Sequence, residues 1–83
     1  MALRLEGNEI WLIDVCGAEE ALEFVDLLLK AERPTINLSR CMHLHAALLQ
    51  TVIALKPAVS AEPTEPFLQK WISPIFSRRA AAF

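Results

Sequence analysis

Tyrosine is absent from these 83 residues, and glycine and cysteine occur only twice each. Gly7 and Gly17 alone cannot build a glycine-rich loop that cradles phosphate. Cys16 and Cys41 are too few for the disulfide framework of a small secreted domain, so a reduced, cytoplasmic setting is expected. No stretch approaches the roughly 20 consecutive apolar residues of a membrane span, and Met1 to Glu9 lacks the basic start and apolar run of a signal peptide. No direct membrane insertion is therefore expected. Neither sign of charge dominates: 8 Lys and Arg against 10 Asp and Glu leave a net of −2, which argues against nucleic acid as a partner. Ser39, Ser60, Ser73 and Ser77 have no nucleophile-elbow context, and nothing completes an acid–base site around His45. The expectation is no enzyme, no catalytic residue and no cofactor.

What is present is apolar. Hydrophobic residues make up 54% of the chain, enough for one core but not two, and a chain this short hides only about 60% of its unfolded surface. A single domain over residues 1–77 is expected, with 78–83 as a flexible tail. Charge is unevenly placed. Arg4 and Lys30 stand against Glu6, Glu9, Asp14, Glu19, Glu20, Glu23, Asp26 and Glu32, a net of −6 over residues 1–32. The remaining residues carry +4. Such a dipolar chain can orient a charged partner, or pair opposite-signed halves between copies of itself.

Leu3 and Leu5 alternate with Arg4 and Glu6, the period of a half-exposed strand, and Gly7-Asn8 signals a two-residue hairpin. The return strand spans Glu9 to Val15, apolar on both sides. After Gly17, residues 18–32 read as an amphipathic helix with Glu19, Glu23, Asp26 and Lys30 on one stripe and Ala21, Phe24, Val25, Leu28 and Leu29 opposite. A short strand spans Thr35 to Ser39. A helix apolar nearly all round covers Leu44 to Lys56, ended by Pro57. Ala58 to Glu62 forms a fourth strand, and Thr64, Pro66, Phe67-Leu68 and Trp71-Ile72 set a last helix that Pro74 kinks or ends. Trp11 and Trp71 are expected as core anchors. The order predicts an α/β domain: about four strands in a mostly parallel sheet, an N-terminal hairpin, and about three helices mainly on one face. An all-helical bundle is the alternative, but it must ignore Gly7-Asn8.

Cys41, His43 and His45 alternate at spacing two, and a crossover places Cys16 beside them. Four soft or borderline ligands then have a route to converge at the sheet's carboxyl edge, as a metal-binding or redox-sensing module. Beyond the last helix, Ile75, Phe76 and Phe83 flank Arg78-Arg79 as a basic-apolar segment that can dock on a partner or on the domain itself.

The stretch from Thr35 to Gln50, Thr-Ile-Asn-Leu-Ser-Arg-Cys-Met-His-Leu-His-Ala-Ala-Leu-Leu-Gln, resembles the central signature of STAS domains, named for sulphate transporters and anti-sigma factor antagonists. The family pattern is a strand, Asp-Leu-Ser, a loop, Asp-Ser, then an apolar helix. Its first Asp falls on Asn37, its second on His45, and the Ser that antagonist members present for phosphorylation falls on Ala46, which has no hydroxyl. The resemblance implies a short, degenerate, bacterial-type regulatory domain that binds a protein without catalysis and without a phosphorylation switch. The implied contact residues are Leu44, His45, Ala46, Ala47, Leu48 and Thr51. The implied partners are a kinase-like anti-sigma factor, a signalling kinase or the ATPase of a lipid-transport ABC system, with self-association as the other option.

Overall fold

A computed structural model describes residues 2–74. The boundary at residue 77, the tail 78–83 and the basic-apolar segment of Ile75, Phe76, Arg78, Arg79 and Phe83 lie outside the described residues. The chain is mixed α/β. Strands β1 (Leu3–Glu6) and β2 (Glu9–Leu12) form the expected antiparallel hairpin, with Leu3 opposite Leu12 and Glu6 opposite Glu9. Gly7 opens the turn at φ 63°, the conformation a two-residue loop with glycine first demands. An added Cβ there meets nothing within 4 Å, so backbone conformation, not space, selects glycine.

The return strand is shorter than expected. At Asp14 the backbone turns left-handed, φ 57°, and the chain leaves the hairpin. Residues Asp14–Cys16 become a separate strand, β3. Asx residues tolerate this conformation better than most, so no glycine marks the break. A turn of 3₁₀ helix (Ala18–Glu20) follows, then α1 (Ala21–Lys30). Strand β4 (Thr35–Asn37) runs parallel to β2. The next segment corrects the expected loop and helix start: Cys41–Leu44 is strand β5, paired in parallel with β3. Helix α2 (Ala46–Leu55) therefore begins two residues later than expected and ends at Lys56, which caps it at φ 54°. Strand β6 (Ala58–Ala61) pairs in parallel with β4.

Helix α3 (Pro66–Trp71) has proline in its first turn and Glu65 as its cap, the carboxylate accepting from the Leu68 N–H at 2.8 Å. Thr64, expected in the start signal, instead donates its hydroxyl to the Ser39 carbonyl. The result is a four-stranded, mostly parallel sheet ordered β1-β2-β4-β6, with a two-stranded sheet β3-β5 beside it.

One core joins these parts. Leu3, Ile10, Leu12, Ile36 and Leu38 from the sheet meet Phe24 and Leu28 of α1, Leu48 and Val52 of α2 and Leu68 of α3. Because both crossover helices bury their stripes in the same cluster, α1 and α2 lie on one sheet face, and they touch each other. Each large apolar side chain removed from water contributes about 1.5–3 kcal/mol. The two tryptophans correct an expectation. Trp11 is half-buried in register with Arg4 and Asn37, its indole N–H on Glu9, and Trp71 is 56% exposed. Leu29 also departs from the expected stripe and is exposed, together with Leu22. Among the described residues, no helix is long and apolar enough to cross a membrane.

In urea unfolding, Leu48→Ala is expected to cost about 2–5 kcal/mol, the range for emptying a core leucine site. Leu22→Ala, at a side chain 85% exposed, is expected to cost under about 0.5 kcal/mol. Comparable losses for the two would contradict the packing of these helices.

Candidate functional site

The region singled out by the sequence surrounds the start of α2, and β3 and β5 place it. Strand β5 ends at Leu44, and the His45 N–H donates to the Cys16 carbonyl at 2.9 Å, tying the end of β5 to the end of β3. His45 is extended and caps α2: its Nδ1 accepts from the Ala47 N–H at 3.0 Å. Histidine is an unusual N-cap. It works here because an unprotonated Nδ1 offers the lone pair that Asp or Ser supplies elsewhere. Thr51 turns its hydroxyl back to the Ala47 carbonyl and so is engaged within the helix.

Only part of the expected contact surface reaches solvent. His45 and Ala46 are exposed, and Ala47 and Thr51 are half-buried. Leu44 and Leu48 are buried, Leu48 completely, and both belong to the core. This corrects their assignment as contact residues. The physical reason is spacing: Leu48 and Val52, four apart, share the stripe that faces the sheet. Two residues that sequence reasoning missed stand in their place. Val15 is 59% exposed and Met42 56%, and Val15 is in register with His43, itself exposed. An apolar patch bearing two histidines therefore edges the small sheet beside the α2 start. Its only signal in the sequence is two apolar residues in strands too short to bury both faces.

The expected convergence of Cys16, Cys41, His43 and His45 does not form. Cys16 and Cys41 are fully buried, whereas His43 points outward from the same strand and His45 is committed to its cap. Among the described residues, no three His, Cys, Asp or Glu side chains gather to hold a metal ion. The two cysteines do come together on the buried side of the β3-β5 ladder, where each thiol donates to backbone carbonyls: Cys16 to Ala2 and Ile13 at 3.7 and 3.8 Å, Cys41 to His43 at 3.5 Å. The neighbouring Cys41, then burial, push the Cys16 thiol up, while the neighbouring Cys16 holds Cys41 below its ordinary value.

A second polar group forms on β2, β4 and β6. The Glu9 carboxylate accepts from the Ser60 hydroxyl at 2.5 Å, the Asn37 amide at 3.2 Å and the Trp11 indole at 3.0 Å. The Ser60 bond, then the Asn37 bond, hold its pKa below the usual carboxylate value. Asn37 is nearly buried and fully used: its oxygen accepts from the Ser39 N–H and hydroxyl while its amine serves Glu9. An aspartate here would set two carboxylates against each other, so asparagine suits this neighbourhood. Near α2 the opposite shift occurs. One Glu20 oxygen is buried without a partner in the 3₁₀ turn that packs on α2. Burial, then the neighbouring Glu19, raise the Glu20 pKa.

No protein-family model, curated protein or solved structure matches the chain.

These two carboxyls predict opposite pH dependences. A lowered native pKa contributes stability above the unfolded value and loses it as pH falls through the native one. A raised native pKa withdraws stability as pH rises through it. Near pH 7, Glu9→Gln is therefore expected to have a lower urea midpoint than the wild type, and Glu20→Gln a higher one. Both differences should shrink at pH values below the ordinary carboxylate range. Differences that persist unchanged in acid would assign the effects to packing instead.

Proposed function

We propose that the domain is a non-catalytic protein-interaction or regulatory module of the STAS-like kind, working in the cytoplasm. The observation that carries the reading is the exposed patch of Val15, Met42, His43, His45 and Ala46 around the start of α2. Large apolar side chains exposed at one edge favour a docking surface over a solvated loop. Support also comes from the layout: a hairpin-led, mostly parallel sheet with helices on one face, and an apolar helix opening at His45-Ala46. Alanine at position 46 makes binding independent of phosphorylation at that site. The partner classes are a kinase-like regulator or a transporter ATPase, and the net charge of −2 argues against nucleic acid.

Immobilised wild-type domain, Met42→Glu and Leu29→Glu provide the test, after equal urea stability has been established. The retained protein, identified by mass spectrometry, is expected to be lost from Met42→Glu and kept by Leu29→Glu, whose site lies on the outer side of α1. Equal retention by all three contradicts the assignment. A monomer in light scattering is the expected solution state, and a salt-insensitive dimer sensitive to Met42→Glu would move the surface to self-association.

A further inference from the structure

The chain's two cysteines sit twenty-five positions apart in sequence, yet the fold brings both to the buried side of the small sheet. Cys41 stands opposite Asp14, and Cys16 opposite Leu44, so the two are diagonal neighbours across the β3-β5 ladder. Both are free, buried thiols, Cys16 donating to the Ala2 and Ile13 carbonyls and Cys41 to that of His43. The ladder around them is short and irregular. Its strands span three and four residues. Its register shifts between Asp14 and Val15, and Asp14 is left-handed at that point. Short, irregular pairing of this kind opens locally at little cost, which is how a small oxidant reaches thiols that are otherwise covered.

We propose that Cys16 and Cys41 are a modification site, forming a reversible disulfide with a hydroperoxide as oxidant, and that the bond displaces the start of α2. The Cys41 thiolate attacks the hydroperoxide, the O–O bond breaks, and the leaving alkoxide or hydroxide takes up the proton that Cys41 gave up. Cys16 sulfur then attacks the resulting sulfenic acid. The S–S bond forms, the S–O bond breaks, and the departing hydroxide leaves as water with the Cys16 proton. Two thiols and one hydroperoxide thus give one disulfide, one alcohol or water, and one water. The first-attack role falls to Cys41, whose thiolate form the neighbouring Cys16 favours.

Diagonal neighbours on adjacent strands have Cα atoms roughly 7–8 Å apart, whereas a relaxed disulfide prefers about 5.5–6 Å. Closing the bond therefore draws β3 and β5 together at the register shift. The Cys16 carbonyl, which holds the His45 N–H, moves with it. A strained bond of this kind is easily reduced, the property of a switch rather than a staple.

The test treats the folded full chain with hydrogen peroxide, alkylates in denaturant and reads the intact mass, with and without dithiothreitol. Oxidised protein is expected to be monomeric and to take up no alkyl group, dithiothreitol restoring both sites. Cys16→Ser is expected to leave a Cys41 sulfenic acid that dimedone traps. Amide exchange at His45 is expected to be at least roughly tenfold faster in the oxidised form. Two alkylatable thiols surviving a dose that oxidises the urea-unfolded chain would overturn the site, as would a link formed only between chains. A disulfide with unchanged exchange at His45 would overturn the coupling to α2.

Discussion

The left-handed turn at Asp14 is the constraint on which the rest of the structure depends. Continued straight, the apolar run from Ile10 to Val15 would be one long central strand. Instead the Ile13 N–H goes to the Ala2 carbonyl and the Asp14 N–H to the Arg40 carbonyl, 2.7 and 2.8 Å respectively. These two bonds end β2 and begin β3 along a new line. The chain thereby gains a second, smaller ladder, and that ladder fixes where β5 runs and where α2 begins.

From this diversion follows the separation of the chemistry-bearing residues. On β5 the sequence Cys41-Met42-His43-Leu44 buries its two ends and exposes its middle, which divides the cysteines from the histidines. The thiols become a core pair, and the histidines, with Met42 and Val15, become surface beside the α2 start. A helix that is apolar nearly all round is accommodated by the same arrangement. Leu48 and Val52 face the sheet, and the 3₁₀ turn and α1 lie against its flanks. Ile53 and Leu55 remain exposed. The interaction reading and the thiol pair thus share one hinge point, the bond from His45 to Cys16.

Much of the fold was legible because its signals are local. Gly7-Asn8 marks the hairpin, the 3.6-residue period marks α1, and Pro57 and Pro66 bound α2 and α3. The strand and helix order then leads to a mostly parallel sheet with helices on one face. The break at Asp14 was not legible, since an aspartate can adopt φ 57° without a flanking glycine or proline to announce it. Strand β5 was hidden for a related reason: its buried–exposed–exposed–buried pattern follows a register shift, not the period of two that identifies strands. With β5 read as a loop, the C-x-H-x-H spacing looked like a ligand set, and Leu44 and Leu48 looked like surface. Trp11 was misplaced because large size argues for burial in general, whereas its N–H needed the Glu9 carboxylate.

The central claim is that left-handed backbone at Asp14 creates the second ladder and, through it, the start of α2. Amide hydrogen exchange at His45 in Asp14→Gly and Asp14→Val tests it most directly, because the His45 N–H is held by Cys16 of β3. Glycine accepts positive φ freely, and β-branched valine does so poorly. Protection equal to the wild type in Asp14→Gly, with its loss in Asp14→Val, is the predicted result. Protection retained in Asp14→Val would contradict the account, since the ladder would then stand without the turn that is said to build it.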